Sequence, residues 1–504
     1  MPDHHSRFFI PSCFTVFAKA GILLASTVLA FVAFQSYVTA GFLLETGARA
    51  EVLAQLKDTS TAESSIETGS ISQNADDDAN LVDEELEPCL QEFQEAAVSE
   101  MMKEGAITDP SVEMAAADNS KDIESISEAI SEAMLPVIAH RKFEVTTLIR
   151  IFLGKYLSLF FSATIVGDML GILWLYAIVF ASTLAESMQI APNASVETNY
   201  YCYLIIYAAL VLPISCLNVV DQLWIQYLFL AGRMMMVAFM VGTLVMTLSN
   251  PEKEFFESEE FIESSPWNLA DFRYLVLAFQ TSFLSTAYQG GVPAIAAARR
   301  NRGSGLPTVF RDSSLVVFVS NVVVAVLTVA YFGANTLPSA NLMWANFQGQ
   351  QAGSLVARIV SLYVSLFAAV DGLAIFPLLA AIMGDVLLGA VFGERAYKME
   401  QKRWVRTLFR LVGAGMPPIV GAFVVQDLDV IATYSGIFTI LSYTVAPSML
   451  WLVSRHVMSR KGFAAATAYS EKQWWVSSRK GAIVLLTVST FAIAGVLVGA
   501  LVAA

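Results

Sequence analysis

Three ionisable residues lie inside long apolar runs, where a charge is tolerated only for a reason. Asp168 sits in Ser-Ala-Thr-Ile-Val-Gly-Asp-Met-Leu-Gly, near the middle of 156–186. Centring an aspartate in a membrane helix costs about 2.5–3.5 kcal/mol on insertion scales. It must therefore face protein or water, and such a carboxylate is a functional candidate by default. Thr164 and Gly171 share its helical face, leaving room for a ligand or a close helix. Arg233 lies in Leu-Ala-Gly-Arg-Met-Met-Met within 223–249. It stays charged in proteins and cannot carry a proton, so it reads as a partner of Asp168 or Asp371. Asp371 falls in the inner half of 355–380, on a stripe with Ser361, Ser365, Ala368 and Gly372. Such a stripe lets helices approach closely or lines an ion path with hydroxyls. Asp385, beyond that run, reads as an interfacial charge.

A second group is backbone chemistry. Ser285-Thr286-Ala287-Tyr288-Gln289-Gly290-Gly291-Val292-Pro293 closes the run 272–297. Paired glycines followed by proline weaken a helix, through backbone entropy and a missing donor. The sequence allows a simple kink or a full break, and a break at membrane depth must line a cavity or be buried in protein. Such breaks present half-helix termini to carboxylate groups of substrates. Tyr434 and Ser435, with Gly436, stand near the outer end of 430–453 as gate candidates. Catalysis has little to build on. The four His (4, 5, 140, 456) lie outside the runs, and the four Cys (13, 89, 202, 216) show no close pairing. No metal cluster, nucleophile–base set or phosphate-cradling loop is visible, so neither an enzyme nor a cofactor or nucleic-acid partner is expected.

The elements that must hold these groups are membrane spans. About 20 apolar residues cross roughly 30 Å of hydrocarbon. Ten runs qualify, at 21–43, 156–186, 200–219, 223–249, 272–297, 313–334, 355–380, 407–426, 430–453 and 481–503. The composition agrees, with 56% hydrophobic and 15% charged residues against a usual charged share of about 25%. The expectation is an all-α polytopic membrane protein with ten transmembrane helices, in a plasma membrane or an endolysosomal or vacuolar one.

Charge alternates with loop parity. Arg299, Arg300, Arg302 and Arg311 follow the fifth run, Arg395, Lys398, Lys402, Arg403 and Arg406 the seventh, and Arg455, Arg460, Lys461, Lys472, Arg479 and Lys480 the ninth. Excess Lys and Arg mark cytoplasmic loops. The intervening 250–264 is acidic, 335–354 is uncharged, and Asn193-Ala-Ser195 is a glycosylation sequon on the same outer side. Parity then places 44–145 in the cytoplasm and both chain ends outside, although Arg7 and Lys19 near the start would favour the cytoplasm.

Three segments follow: residues 1–43 with the first span, a cytoplasmic insert at 44–145, and a bundle of nine further helices at 146–504. Residues 51–140 hold 22 Asp/Glu against three Lys, a composition that predicts disorder. The segment is a solvated spacer or a docking tail for a cytoplasmic protein. Ile123, Ile126, Ile130, Met134 and Val137 predict an amphipathic helix over 121–138.

Several of these residues together resemble the amino acid/auxin permease family, most closely its transmembrane protein 104 branch. They are Phe17-Ala18-Lys19-Ala20-Gly21 with Tyr37-Val38-Thr39-Ala40 and Leu44-Glu45, then the acidic insert and Phe143-Glu144. Gly167-Asp168, Tyr176-Ala177, Arg233, the Pro293 neighbourhood, Ile375-Phe376-Pro377, Tyr434-Ser435-Gly436 and Ala446-Pro447 follow in order. The likeness covers roughly 10–50 and 140–460. It implies an inverted-repeat helix bundle like that of bacterial leucine transporters. It also implies secondary active transport of amino acids or similar small solutes, coupled to protons or sodium, by alternating access. Tyr288, Gln289, Gly290, Gly291, Asp168, Tyr434 and Ser435 would then meet the substrate. Asp168, Asp371, Arg233, Ser361 and Ser365 would serve ion coupling, with Arg233 a fixed positive charge where related carriers hold sodium. The family's first helix carries a glycine-rich break that has no counterpart here. The expectation is a chain lacking that helix, either as a truncated carrier or as a divergent, non-transporting scaffold or nutrient sensor.

Overall fold

The computed structural model describes residues 13–67, 145–188, 190, 195–217, 222–250, 255–256, 269–298, 305–333, 336, 340–349, 354–393, 396–426, 428–460 and 478–503. The sequon residue Asn193 and the amphipathic stretch 121–138 lie outside the described residues. The helices are α1 (Cys13–Ala20), α2 (Ile22–Glu67), α3 (Val145–Ser187), α4 (Val196–Ser215), α5 (Leu223–Ser249), α6 (Leu275–Thr286), α7 (Val292–Ala298) and α8 (Leu306–Phe332). They continue with α9 (Leu355–Phe392), α10 (Ala396–Glu400), α11 (Arg403–Leu408), α12 (Met416–Val424), α13 (Leu428–Ile440), α14 (Ala446–Arg460) and α15 (Arg479–Ala503). A π-helical turn, Phe409–Gly415, joins α11 to α12, and another, Leu441–Val445, joins α13 to α14.

Among the described residues, eight helices are long and apolar enough to cross a membrane: Ile22–Ala54, Val145–Ala185, Val196–Ser215, Trp224–Ser249, Leu306–Phe332, Leu355–Phe392, Arg403–Val424 and Tyr434–Arg460. Each matches one of the ten expected spans. Of the other two, 272–297 is broken into α6 and α7, and 481–503 falls within the 25-residue α15. The outward faces of these helices carry large exposed apolar side chains, among them Tyr156, Ile205, Trp224, Leu228 and Val319. An apolar perimeter of this extent suits lipid rather than water.

One boundary moves. The acidic insert was expected to begin at residue 44, but α2 runs without interruption to Glu67. Leu44, Glu45, Ala48 and Arg49 are buried in it. Glu45 and Arg49 lie four apart and pair at 2.8 Å, so their charges cancel along one helical face and do not mark a loop.

The centre of the bundle is α3, which packs against α9, α13, α4 and α12. Its lead-in turns off the span at Gly154, whose φ of 83° only glycine adopts freely. Beyond that bend Ile165, Met169 and Leu173 recur every fourth residue and are buried, the spacing of one helical face. Two glycines let α13 come close. A Cβ on Gly167 would lie 3.0 Å from the Phe438 ring, and one on Gly171 would lie 2.8 Å from Ser435 Cβ. This close crossing brings the hydroxyl-bearing face of α13 against α3. Gly171→Val should therefore destabilise the fold by about 1–3 kcal/mol through overpacking, measured by equilibrium unfolding in detergent. Gly242→Ala on α5, with nothing within 4 Å, should be neutral or mildly stabilising.

Candidate functional site

Asp168 is fully buried on α3, and no ion pair among the described residues includes it. Its Oδ1 meets the Thr439 hydroxyl of α13. Its backbone carbonyl accepts from Ser435 Oγ at 3.4 Å, and the Tyr443 hydroxyl stands beside its carboxyl. Oδ2 is buried with no hydrogen-bond partner among the described residues. One turn back on α3, Thr164 Oγ1 receives Ser442 Oγ at 3.2 Å. A buried acceptor left open costs about 1–3 kcal/mol, and more when charged. Such a group in a native protein calls for an explanation, and a functional role is one of those it has.

The helix break faces this cluster. After α6 the chain turns extended at Ala287, passes Tyr288, and resumes through a 3-10 turn at Gln289–Gly291 before α7. Of the alternatives open in the sequence, a full break is what forms. Gln289 pins it: Oε1 accepts from the Tyr288 amide at 2.9 Å, and Nε2 donates to Thr39 Oγ1 of α2 at 3.2 Å. Gly290 lies against Met169 and Tyr443, where an added Cβ would come within 3.1 Å of each. Gln289, Gly290, Met169, Ser442, Tyr443 and Leu43 border one cavity of about 10 Å³, the space of roughly one water. In this conformation the site is closed and too small for an amino acid.

The other expected site residues divide. Ser435 is buried at the Asp168 cluster, whereas Tyr434 is 62% exposed and lies outside it. Tyr288 turns to α8, with its hydroxyl 2.8 Å from Ser314 Oγ and its ring stacked on Phe310. The Gly291 amide donates to the Tyr288 carbonyl at 3.0 Å, closing the turn, and an added Cβ there would meet Ile295 at 3.8 Å. Arg233 pairs with Asp371, not Asp168, through Nε at 2.8 and 2.9 Å to the two carboxylate oxygens. That pair joins α5 to α9 beside Tyr176, two turns along α3 from Asp168, so the structure contains two separate polar centres. Ser361 and Ser365 are committed elsewhere, their hydroxyls donating to the carbonyls of Ala345 and Ser361 at 3.2 and 2.8 Å. They do not join either centre. Asp385 is not an interfacial charge but a buried partner of Arg410 at 3.1 Å.

Thr439, Ser442 and Tyr443 are site residues that the outer-end pair Tyr434–Ser435 does not reveal. The signal in the sequence is the four-residue spacing Ser435, Thr439, Tyr443, which continues one face across the π turn. π turns are frequent at functional sites because they re-aim side chains within a helix. Among the described residues no group of His, Cys, Asp and Glu could hold a metal ion. In comparisons with known proteins, no protein-family model and no curated protein matches the chain.

The two centres make different stability predictions. Asp371→Asn leaves a guanidinium without its counter-charge, which costs about 3–5 kcal/mol when fully buried. Arg233 is 31% exposed, so a loss of about 1–2 kcal/mol is expected. The double variant Arg233→Gln/Asp371→Asn should recover most of it. A double-mutant cycle by detergent unfolding reads this directly, and a coupling near zero would contradict the pairing.

Proposed function

We propose that this chain is a secondary active carrier of amino acids or similar small solutes, working by alternating access at a site between α3, the α6–α7 break and the α13–α14 joint. The observation that carries the reading is the broken helix seated against a buried carboxyl. Gly290 backs directly onto Tyr443, and Tyr443 onto Asp168. A half-helix start can receive a substrate carboxylate, and Asp168 can receive the ammonium or a coupling proton. The inverted-repeat architecture, membership of the amino acid/auxin permease family, coupling to protons or sodium, and a cytoplasmic position for the acidic insert belong to the same proposal. So does residence in a plasma membrane or an endolysosomal or vacuolar one. The closed cavity then represents one stage of a cycle in which α2 and the broken helix part from α3.

The test is uptake into proteoliposomes carrying the full chain, with a panel of amino acids under an imposed proton or sodium gradient. Substrate-dependent uptake is expected for at least one solute. Asp168→Asn should reduce it by about 30-fold or more, the effect of removing one member of a buried charged contact, while the protein still inserts. No uptake across the panel would overturn the carrier reading in favour of a scaffold or sensor. Unchanged uptake in Asp168→Asn at every pH would remove Asp168 from it.

A further inference from the structure

The cations that follow the seventh apolar run take no part in the site above. Residues 394–406 hold five Lys and Arg against two Glu, at a corner formed by the end of α9. That helix stops at Gly393, whose φ of 56° only glycine adopts freely. The short helices α10 and α11 follow, packed on each other and on α9. Lys398, Lys402 and Arg403 are exposed there, and Arg406 is partly buried. Arg150, from the lead-in of α3, adds a further charge. Its guanidinium lies over Gly393, with Cζ 2.8 Å from where a Cβ would stand. None of these five cations has an ion-pair partner among the described residues. Arg406 Nε is buried with no hydrogen-bond partner among them, whereas Arg410, one turn on, meets Asp385. A partly buried guanidinium without a counter-charge is costly to keep, and an anion from outside the chain removes that cost.

The same corner is apolar on its membrane side. Trp404, Leu408, Val412 and Met416 recur every fourth residue through α11, the π turn and α12, and each is between 43% and 69% exposed. They form a stripe that starts among the cations and runs about three turns into the span Arg403–Val424. A tryptophan heading such a stripe settles at the headgroup level of a bilayer, and Arg403 and Arg406 stand within one turn of it. An acidic protein segment would answer the charges but not the stripe. A neutral lipid would answer the stripe but not the charges. A lipid with an anionic head answers both, and the loop charge that predicts a cytoplasmic position for 394–406 places the corner in the leaflet where such lipids concentrate.

We propose that the corner of α9, α10 and α11 binds one anionic phospholipid, with its headgroup on Lys402, Arg403, Arg406 and Arg150 and an acyl chain along the Trp404 stripe. Lipid binding needs no transport, so the site stands whether or not the chain is a carrier. The test is native mass spectrometry of the full chain in detergent, titrated separately with phosphatidylserine and phosphatidylcholine. Wild type should hold phosphatidylserine at least tenfold more tightly. Lys402→Gln/Arg403→Gln, at two exposed positions, should weaken it about 30-fold, roughly fivefold per charge, with the melting temperature unchanged. Trp404→Ala should weaken it severalfold. Arg479→Gln/Lys480→Gln, which removes two exposed cations at the start of α15, should leave it as in wild type. Equal retention of the two lipids would overturn the site. So would an equal loss in the Arg479/Lys480 variant, which marks charge attraction alone, or full phosphatidylserine binding by Trp404→Ala. Displacement of the lipid by an equal concentration of soluble glycerophosphoserine would overturn it too, since the anion alone would then account for binding.

Discussion

Hydrocarbon offers no hydrogen bonds, so each polar group at membrane depth must find its partner within the protein. The helix break depends on this constraint more than any other feature. The Tyr288 amide is held by the Gln289 side chain, which reaches α2 with its other end, and the Gly291 amide by the Tyr288 carbonyl. The Ser36 and Thr286 hydroxyls, 3.3 Å apart, add a second tie to α2. The break, α2 and the cavity are therefore one mechanical unit, and none of them can shift without renegotiating those bonds.

The charged groups are distributed by the same rule. Arg233, Arg410 and Arg49 each sit against a carboxylate, and two of the three pairs fasten separate elements together. Asp168 stands apart. It is surrounded by hydroxyls of α13 and the π turn instead of by a cation, and it keeps an open oxygen. A fold selected only for stability would place an apolar side chain there, because a buried carboxyl with no cation beside it is among the more expensive groups to maintain. Close packing at Gly167 and Gly171 brings those hydroxyls within reach, which links the backbone design of α3 to the chemistry of its aspartate.

Much of this was legible in the residues themselves. Run length and composition give the spans, and the glycine pair before Pro293 marks where the helix weakens, though it leaves a kink and a full break both open, because local physics sets each. Asp168 is conspicuous as a charge in an apolar run. What local pattern does not carry is partner choice. Arg233 could have met either aspartate, and only the packing of α5 on α9 selects Asp371. The same holds for Asp385, whose position past an apolar run suggests an interface until Arg410 arrives from a distant segment. The end of α2 is hidden in the sequence for a related reason. Glu45 looks like the start of a polar insert until its neutralisation by Arg49 and its bond to Trp451 are seen. Tyr434 and Ser435 are adjacent in sequence, yet a helix sends neighbours to different faces, and only one of them reaches the site.

The proposed carrier cycle requires the cavity bordered by Ser442 and Tyr443 to open to each side of the membrane in turn. The most direct measurement places a reporter at Ser442→Cys, with the four native cysteines replaced by serine, and labels it with a membrane-impermeant thiol reagent from each side of sealed vesicles. Alternating access gives labelling from both sides, with conditions that speed one side slowing the other. A site that reacts from one side only under every solute and ion gradient, or from neither, would contradict it.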